Sequence, residues 1–344
     1  MVDILRQPYQ GASAWTREQM EADPSWRYTL SREEVEELRH AVRSAMATGL
    51  PLEAIDASHF PLATLAQRVR KLAQELEDGR GFELWRGLPV EEWSLEERSM
   101  AYWGLGRHLG TPVVQNARGE LFGHVIDSTG TDPQTNANSR FYHTNHAAPF
   151  HVDGADIVGL MCVRTSKAGG ASLVVSSTAI YNRLLRDHPE LIDCLYESLW
   201  FDHRGERNAV TGHPYWVTSI AGWVNGKLSI MYLRNFIESA QRYEGAPALT
   251  EKHRRVLELI DEYAQSSELC LPMDFRPGDI QWLNNHVTLH SRTGFTDWDE
   301  SDRKRWLMRL WINQFERNRF TATHGYYGIA VDQPTGQNAV PTHG

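Results

Sequence analysis

The chain has 344 residues; 41% are hydrophobic, 23% are charged, and 44 acidic against 35 basic side chains give a formal charge of −9. This composition supplies a sizeable core and excludes low complexity and wholesale disorder. The acidic balance argues against a nucleic acid as the main partner, because phosphate binding needs a clustered basic footprint.

The opening MVDILRQPYQGASAW has no basic patch followed by an apolar run, so no signal peptide is expected. No stretch reaches 18 apolar residues, which leaves nothing to span a membrane. Together these point to a cytoplasmic protein with no membrane partner. Cys162, Cys194 and Cys270 lie far apart without a CxxC pair, so they form neither a disulfide scaffold nor a thiolate zinc knuckle. Residues 1–30 mix Pro, Gly and scattered Trp and are expected to wrap over a surface. A helix should start at Ser31, where Ser31 and Glu34 make a capping box before the apolar stripe Val35, Leu38, Val42 and Met46. A second is predicted over 62–77, with Leu62, Leu65, Val69, Leu72 and Leu76 on one face. The Gly79–Gly81 turn then feeds FELWRGL, which reads as a strand. Ser94 and Glu97 repeat the capping pattern before a third helix ending near Gly110.

From residue 111 the texture changes. DIVGLMCVR, ASLVV, YWVTSI, KLSIMYL, DIQWL and RWLMRLWI are short, rich in β-branched and aromatic residues, and separated by Gly, Pro, Asn and Asp. That is the pattern of a β-sandwich or small barrel rather than of repeated βαβ units. Helices interrupt it at about 178–187 and 250–265, where Thr178 and Thr250 can cap. One domain over 1–344 is expected: helical support over 1–110, a β core over 111–320 carrying the site, and a tail over 321–344. Neither GxGxxG nor GxxxxGKS is present.

Chemistry first shows in 149-PFHVDGAD-156. On a strand, His151 and Asp153 share a face, so an imidazole and a carboxylate can reach one ion. Fe(II) accepts two imidazoles and one carboxylate as a facial triad. The missing histidine should come from a distant strand, and His286 and His290 in LNNHVTLHSRTGF are both candidates. Neighbouring His143 and His146 widen the choice, and His286 with His290 could share a helical face as a zinc half-site, although no HExxH glutamate accompanies them. In RKRWLMRLWI, Arg305 and Arg309 have the same parity, about 13 Å apart on a strand. Two guanidiniums on one face of an apolar strand suit bidentate carboxylates; a pair of rim salt bridges is the plainer alternative.

These features resemble the taurine dioxygenase-like family of Fe(II)/2-oxoglutarate-dependent oxygenases, within the clavaminate synthase-like superfamily. The resemblance rests on HVD at 151–153, KAGGAS at 167–172, RPGDIQWLNNHVTLH at 276–290 and RxWLMR at 305–309, and covers roughly 80–315. It implies a mainly β fold with helical decoration, a distorted double-stranded β-helix with a jelly-roll, cupin-like core. By the same resemblance His151, Asp153 and His290 are the iron ligands, and Arg305, fifteen residues after His290, clamps the distal carboxylate of 2-oxoglutarate. Ser172 stands where a family threonine helps hold that carboxylate, and Arg309 stands where an arginine binds the sulfonate of taurine. The Asn284–Asn285 pair replaces the Asp-Asn of many relatives.

The implied function is an Fe(II)-, 2-oxoglutarate- and dioxygen-using dioxygenase that releases succinate and carbon dioxide. Its expected substrate is a small organic molecule carrying a carboxylate or other anion, hydroxylated at an unactivated C–H. Iron halogenases of this class lack the carboxylate ligand, so Asp153 argues for hydroxylation, desaturation or another oxygenase outcome. Gln115, Asn116, His124, Asn145 and Arg309 are candidate pocket residues, with Asn116, Asn145 and Arg309 assigned to the substrate. Trp282, Trp306 and Trp311 are expected in the core, and Arg234 is left unassigned. The competing readings are another metal-dependent β-barrel enzyme (a dioxygenase independent of 2-oxo acids, a hydrolase or an isomerase) and a non-catalytic binding protein retaining the fold. Family members commonly self-associate, so a homo-oligomer is among the expected states.

Overall fold

The computed structural model describes residues 3–127, 144–314 and 323–332; His143 and most of the expected tail lie outside them. A seven-stranded sheet faces a four-stranded one. The larger runs in the order Arg27–Thr29, Phe82–Arg86, Ile280–Asn284, Ile157–Arg164, Trp306–Asn313 and Thr111–Pro112, and Phe122–Val125 also pairs with Trp306–Asn313. The smaller runs Leu271–Met273, Ser172–Ser176, Thr288–Arg292, Ala148–His151. Among the described residues the two sheets do not close into one hydrogen-bonded barrel.

Alternation along each strand decides what each sheet face meets. In Trp306–Asn313, Met308, Leu310 and Ile312 pack against the helices, while Leu307 and Trp311 point between the sheets. Ile157, Met161 and Val163 go outward from Ile157–Arg164, and Val158, Leu160 and Cys162 go inward. Helices Arg32–Met46, Thr64–Asp78 and Leu95–Leu109 cover the outer face of the larger sheet. Helices Ser177–Asp187 and Glu251–Ala264 cover that of the smaller, through Val175 and Leu289. A sheet apolar on both faces must be covered on both, and here helices do the covering.

The expected helices form with the expected capping boxes at Ser31 and Ser94, and Thr250 caps as well. Ser177–Asp187 is capped two residues earlier, by the Ser176 hydroxyl accepting from the Ala179 N–H, instead of by Thr178. The first 30 residues do more than wrap the surface. They supply helix Arg17–Ala22 and strand Arg27–Thr29, and bury Trp15 and Trp26 against Phe82 between the sheets. Among the described residues helices hold more positions than strands, which corrects the mainly β expectation: the fold is mixed α/β. Trp282 and Trp311 are buried as expected, whereas Trp306 is half-buried. The three cysteines are free, and among the described residues no helix is long and apolar enough to cross a membrane.

Candidate active site

The site is written along one strand of the smaller sheet. In Thr288–Arg292, His290 stands directly opposite His151, and two residues further Arg292 stands opposite Ser172 on the same face. Cross-strand pairs of this kind bring side chains together without any loop. The two imidazole rings are 4.3 Å apart between centroids. Asp153 lies two residues beyond the end of strand Ala148–His151, so the pleat does not place it. Its N–H donates to Asn285 Oδ1 at 3.1 Å, and Asn285 Nδ2 donates to the Ala155 carbonyl at 2.8 Å. Asn284 ties the same strand end to helix Thr64–Asp78, its Nδ2 donating to the Leu76 carbonyl at 2.8 Å. An aspartate at 284 could not make that bond, which accounts for the second asparagine.

One ligand atom each from His151, Asp153 and His290 falls within a 4.8 Å cluster. His151 Nδ1 lies 2.8 Å from the Pro149 carbonyl, so with the proton there Nε2 is left as the acceptor. Asp153 Oδ2 and His290 Nδ1 are buried with no hydrogen-bond partner. Burial would raise the Asp153 carboxyl, but Arg309 and the two histidines outweigh it and hold it below the ordinary value. Burial, then the neighbouring His151, pushes His290 down to about 3. An ionised carboxylate beside a neutral imidazole is the donor set a divalent cation takes. The residues fit a metal.

His286 is elsewhere. Its Nε2 meets Asp156 Oδ1 at 2.8 Å and its Nδ1 meets the Ser229 hydroxyl, which also touches His324 Nε2 at 2.9 Å. These contacts tie the 323–332 segment to the core. Cys194, Glu197 and His253 also lie within 4.8 Å of one another. His253, however, is committed to Thr250 at the helix cap and to Glu197 at 2.9 Å.

The triad opens into a cavity between the sheets. Ser172, Arg292, Arg305 and Arg309 all line it, so the parity of Arg305 and Arg309 holds in the fold. Arg305 is buried with its guanidinium near the Phe295 ring, and no carboxylate pairs with it among the described residues. Burial lowers its proton affinity. Arg292 beside it is lowered to about 10 by burial and then by Arg305; it donates to the carbonyls of Thr144 and His146. Sequence reasoning missed Arg292, although its parity with His290 was a usable signal. Gly169 and Gly170 both take left-handed backbone (φ 75° and 74°), turning the chain into strand Ser172–Ser176. A Cβ at 170 would stand 3.1 Å from Arg305 Nε. The KAGGAS motif thereby clears space for the guanidinium.

The remaining candidates separate. Arg309 Nε donates to Gln115 Oε1 at 2.8 Å and Nη1 to Asp153 Oδ1 at 3.5 Å, while Gln115 Nε2 donates to the carbonyls of Leu121 and Arg309. Gln115 therefore orients Arg309 and is not itself on the cavity wall. The Asn116 side chain holds a turn, bonding Glu120 and the Arg118 N–H, and is not on the cavity wall. Nor is Asn145. It is exposed and lines a shallow groove with Gly169 and Phe295. His124 accepts from Trp306 Nε1 at 3.0 Å, also off the cavity wall. Arg234 does line the cavity, but is bridged to Glu238 and Asp261. Unforeseen on the wall are His203, Arg204, Trp216, Phe236 and Tyr326.

Comparison with known proteins agrees with this geometry. Residues 47–311 match the family described as taurine catabolism dioxygenase TauD, TfdA family. FR-33289 synthase of Streptomyces rubellomurinus is 34% identical over 341 residues, covering 97% of this chain and all of that protein. Taurine hydroxylase-like protein SAT17 of Stachybotrys chartarum is 29% identical, covering 86% of this chain and 77% of its own. Asparagine oxygenase in complex with Fe(II), 2S,3S-3-hydroxyasparagine and succinate superposes with a TM-score of 0.67 at 18% identity, covering 89% of this chain and 99% of that one. The fold is thus related to that of the double-stranded β-helix oxygenases.

Proposed function

Because the chain belongs to the taurine catabolism dioxygenase TauD, TfdA family and is an Fe(II)- and 2-oxoglutarate-dependent dioxygenase, we propose that it hydroxylates an unactivated C–H of a small, anion-bearing organic substrate. The observation that carries the reading is the cluster of His151, Asp153 and His290, the last two buried, on the wall of a cavity rich in arginine. In this reading those three residues hold the iron. When bound, it supplies the activation of dioxygen and the oxidative decarboxylation of 2-oxoglutarate to succinate and carbon dioxide.

The chain's own residues orient and exclude. Arg305 takes the distal carboxylate of 2-oxoglutarate through its guanidinium fork, with Ser172 donating beside it and Arg292 adding positive charge. The Ser172 hydroxyl, now 3.1 Å from Gln281 Oε1, is already aimed by the sheet. Arg309, locked by Gln115, keeps Asp153 ionised. Val125, Leu160, Phe275 and Leu307 form apolar walls that keep bulk water from the reacting centre. Two facing sheets bearing the site support a distorted double-stranded β-helix, and three buried cores that each draw on both ends of the chain support one domain. Similarity to a taurine hydroxylase-like protein and to an asparagine oxygenase is compatible with a small substrate that bears an acid group.

The test is succinate formation from 2-oxoglutarate under air with Fe(II), across a panel of amino, sulfonic and other carboxylic acids. Metal-dependent succinate production stimulated by acidic members is the expected result. Turnover of a substrate without consumption of 2-oxoglutarate would overturn it.

A further inference from the structure

We infer that the substrate carries an amide rather than a free amine, and that Asn235 and Trp216 read that amide in the aromatic part of the cavity. This rests on the anion-bearing reading above and deepens it by naming the group that accompanies the anion.

The polar side chains of the described wall divide by task. His151, Asp153 and His290 form the metal set, and Arg305 and Ser172 belong to the co-substrate. Arg292 donates to the Thr144 and His146 carbonyls, and Ser291 Oγ to that of Ala148. Arg234 is bridged to Glu238 and Asp261, and Arg309 is turned toward Asp153 and Gln115. Two uncharged groups on the same wall have none of these tasks. Trp216 is 5% exposed, and its Nε1 is buried with no hydrogen-bond partner. Asn235 is half-buried on the wall, and among the described residues its carboxamide has no partner.

The two are neighbours. Asn235 precedes Phe236 in helix Arg234–Ala240, and the Phe236 ring lies 6.3 Å from that of Trp216. Strand Tyr215–Thr218 pairs Trp216 with Phe201, whose ring stacks on the indole at 5.1 Å. Packed against both rings, the indole keeps one orientation. A buried indole N–H ordinarily finds a partner, and an acceptor on a ligand recovers the cost of leaving it without one. A carboxamide presents a carbonyl acceptor beside N–H donors, the complement of another amide. Together Asn235 and Trp216 offer the ligand's carbonyl a donor for each lone pair and its N–H an acceptor.

Charge excludes the free amine. The described wall carries Arg204, Arg234, Arg292, Arg305 and Arg309 against one carboxylate, Asp153, which belongs to the metal set. An ammonium here would lose its water and gain no counter-charge, whereas an acylated nitrogen is neutral. Met231, Leu233 and Phe236 line the same wall and suit an alkyl stem.

The experiment uses the full chain loaded anaerobically with Fe(II) and 2-oxoglutarate and titrated calorimetrically with two matched sets. N-acetyl-β-alanine is compared with the charged amine N-ethyl-β-alanine and apolar hexanoate; N-acetyltaurine is compared with N-ethyltaurine and pentanesulfonate. In at least one set, wild type should bind the amide roughly tenfold or more tighter than both of its isosteres. Trp216→Phe keeps a ring without the N–H, and Asn235→Leu keeps the bulk without the carboxamide. Each should cut the preference for amide over apolar isostere about fivefold or more, with apolar binding and 2-oxoglutarate affinity within about twofold of wild type. Asn235→Asp supplies the missing counter-charge and should move the preference toward the amine. An amide that binds no tighter than its apolar isostere in wild type, undetectable binding of both included, overturns the inference. So does a preference that survives intact in Trp216→Phe or Asn235→Leu. Neutral N-propylacetamide tests the reading beneath: binding as tight as that of both acetylated acids would defeat the anion-bearing substrate and leave amide recognition standing.

Discussion

His151, Asp153 and His290 come from two strands and the loop that follows one of them, and among the described residues Asp153 Oδ2 and His290 Nδ1 are left without a hydrogen-bond partner. Replacing any one with alanine should abolish Fe(II) binding in anaerobic titration while the far-ultraviolet circular dichroism stays native. His286→Ala is the contrast: with Asp156 and Ser229 as its partners, it should lower the melting temperature and leave the metal stoichiometry unchanged. Full-strength metal binding in the His290 variant would reassign the ligand. Arg305→Ala should raise the 2-oxoglutarate requirement more than tenfold, since a charge-assisted hydrogen bond contributes about 1.5–3 kcal/mol. Ser172→Ala removes one hydroxyl and should cost less; equal saturation curves for wild type and Arg305→Ala would remove the clamp. Arg309 acts on protonation. Burial pushes the Asp153 carboxyl up, and Arg309 is the largest influence holding it down. In Arg309→Leu that carboxyl titrates higher, so metal affinity, which needs the anion, should fade at a higher pH as acid is added. Coincident pH profiles for the two proteins would deny Arg309 this role.

At the scale of elements, two short motifs make different kinds of contribution. The Gly169–Gly170 turn is a conformational requirement, with both residues left-handed and Arg305 Nε close by. Gly170→Ala is expected to destabilise the fold by about 1 kcal/mol and, by crowding the guanidinium, to raise the Michaelis constant for 2-oxoglutarate. Ser94 only caps helix Leu95–Leu109. Ser94→Ala should therefore destabilise by about 0.5–2 kcal/mol with the Michaelis constant unmoved. Denaturant midpoints and saturation curves on the two variants separate packing from positioning. The strand Trp306–Asn313 shows why parity was informative: odd positions line the cavity and even ones bury against helices, so Arg305 and Arg309 could be matched to one face before any contact was known. Asn116 and Asn145 had no such periodicity, since loops leave side-chain direction to their surroundings.

For the whole molecule, the site joins both sheets: His151, Ser172 and His290 from the smaller, Arg309 from the larger, with Arg305 just before its strand. Ligands that bridge the layers should therefore stabilise the native state globally. Adding Mn(II) as a redox-quiet stand-in with 2-oxoglutarate, each at a hundredfold excess over its dissociation constant, should raise the unfolding free energy by about 2.7 kcal/mol per ligand. Scanning calorimetry should show the melting temperature rising for wild type and staying fixed for Asp153→Ala. A rise of the same size in both would place the stabilising metal elsewhere.

Local patterns in the chain were sufficient for the five longest helices, the caps at Ser31, Ser94 and Thr250, several strand segments and the order of the HxD, GG and distal His-Arg motifs. Those features depend on hydrogen bonds and periodicities confined to a few residues. The choice of His290 over His286 came from resemblance, and its geometric reason is that only His290 pairs across the strands with His151. Burial of Trp15 and Trp26, the excess of helix over strand, and the wall made by Arg204, Trp216 and Tyr326 were not legible. Each depends on which distant faces pack together, and that is settled by burial of apolar surface between segments far apart in the chain.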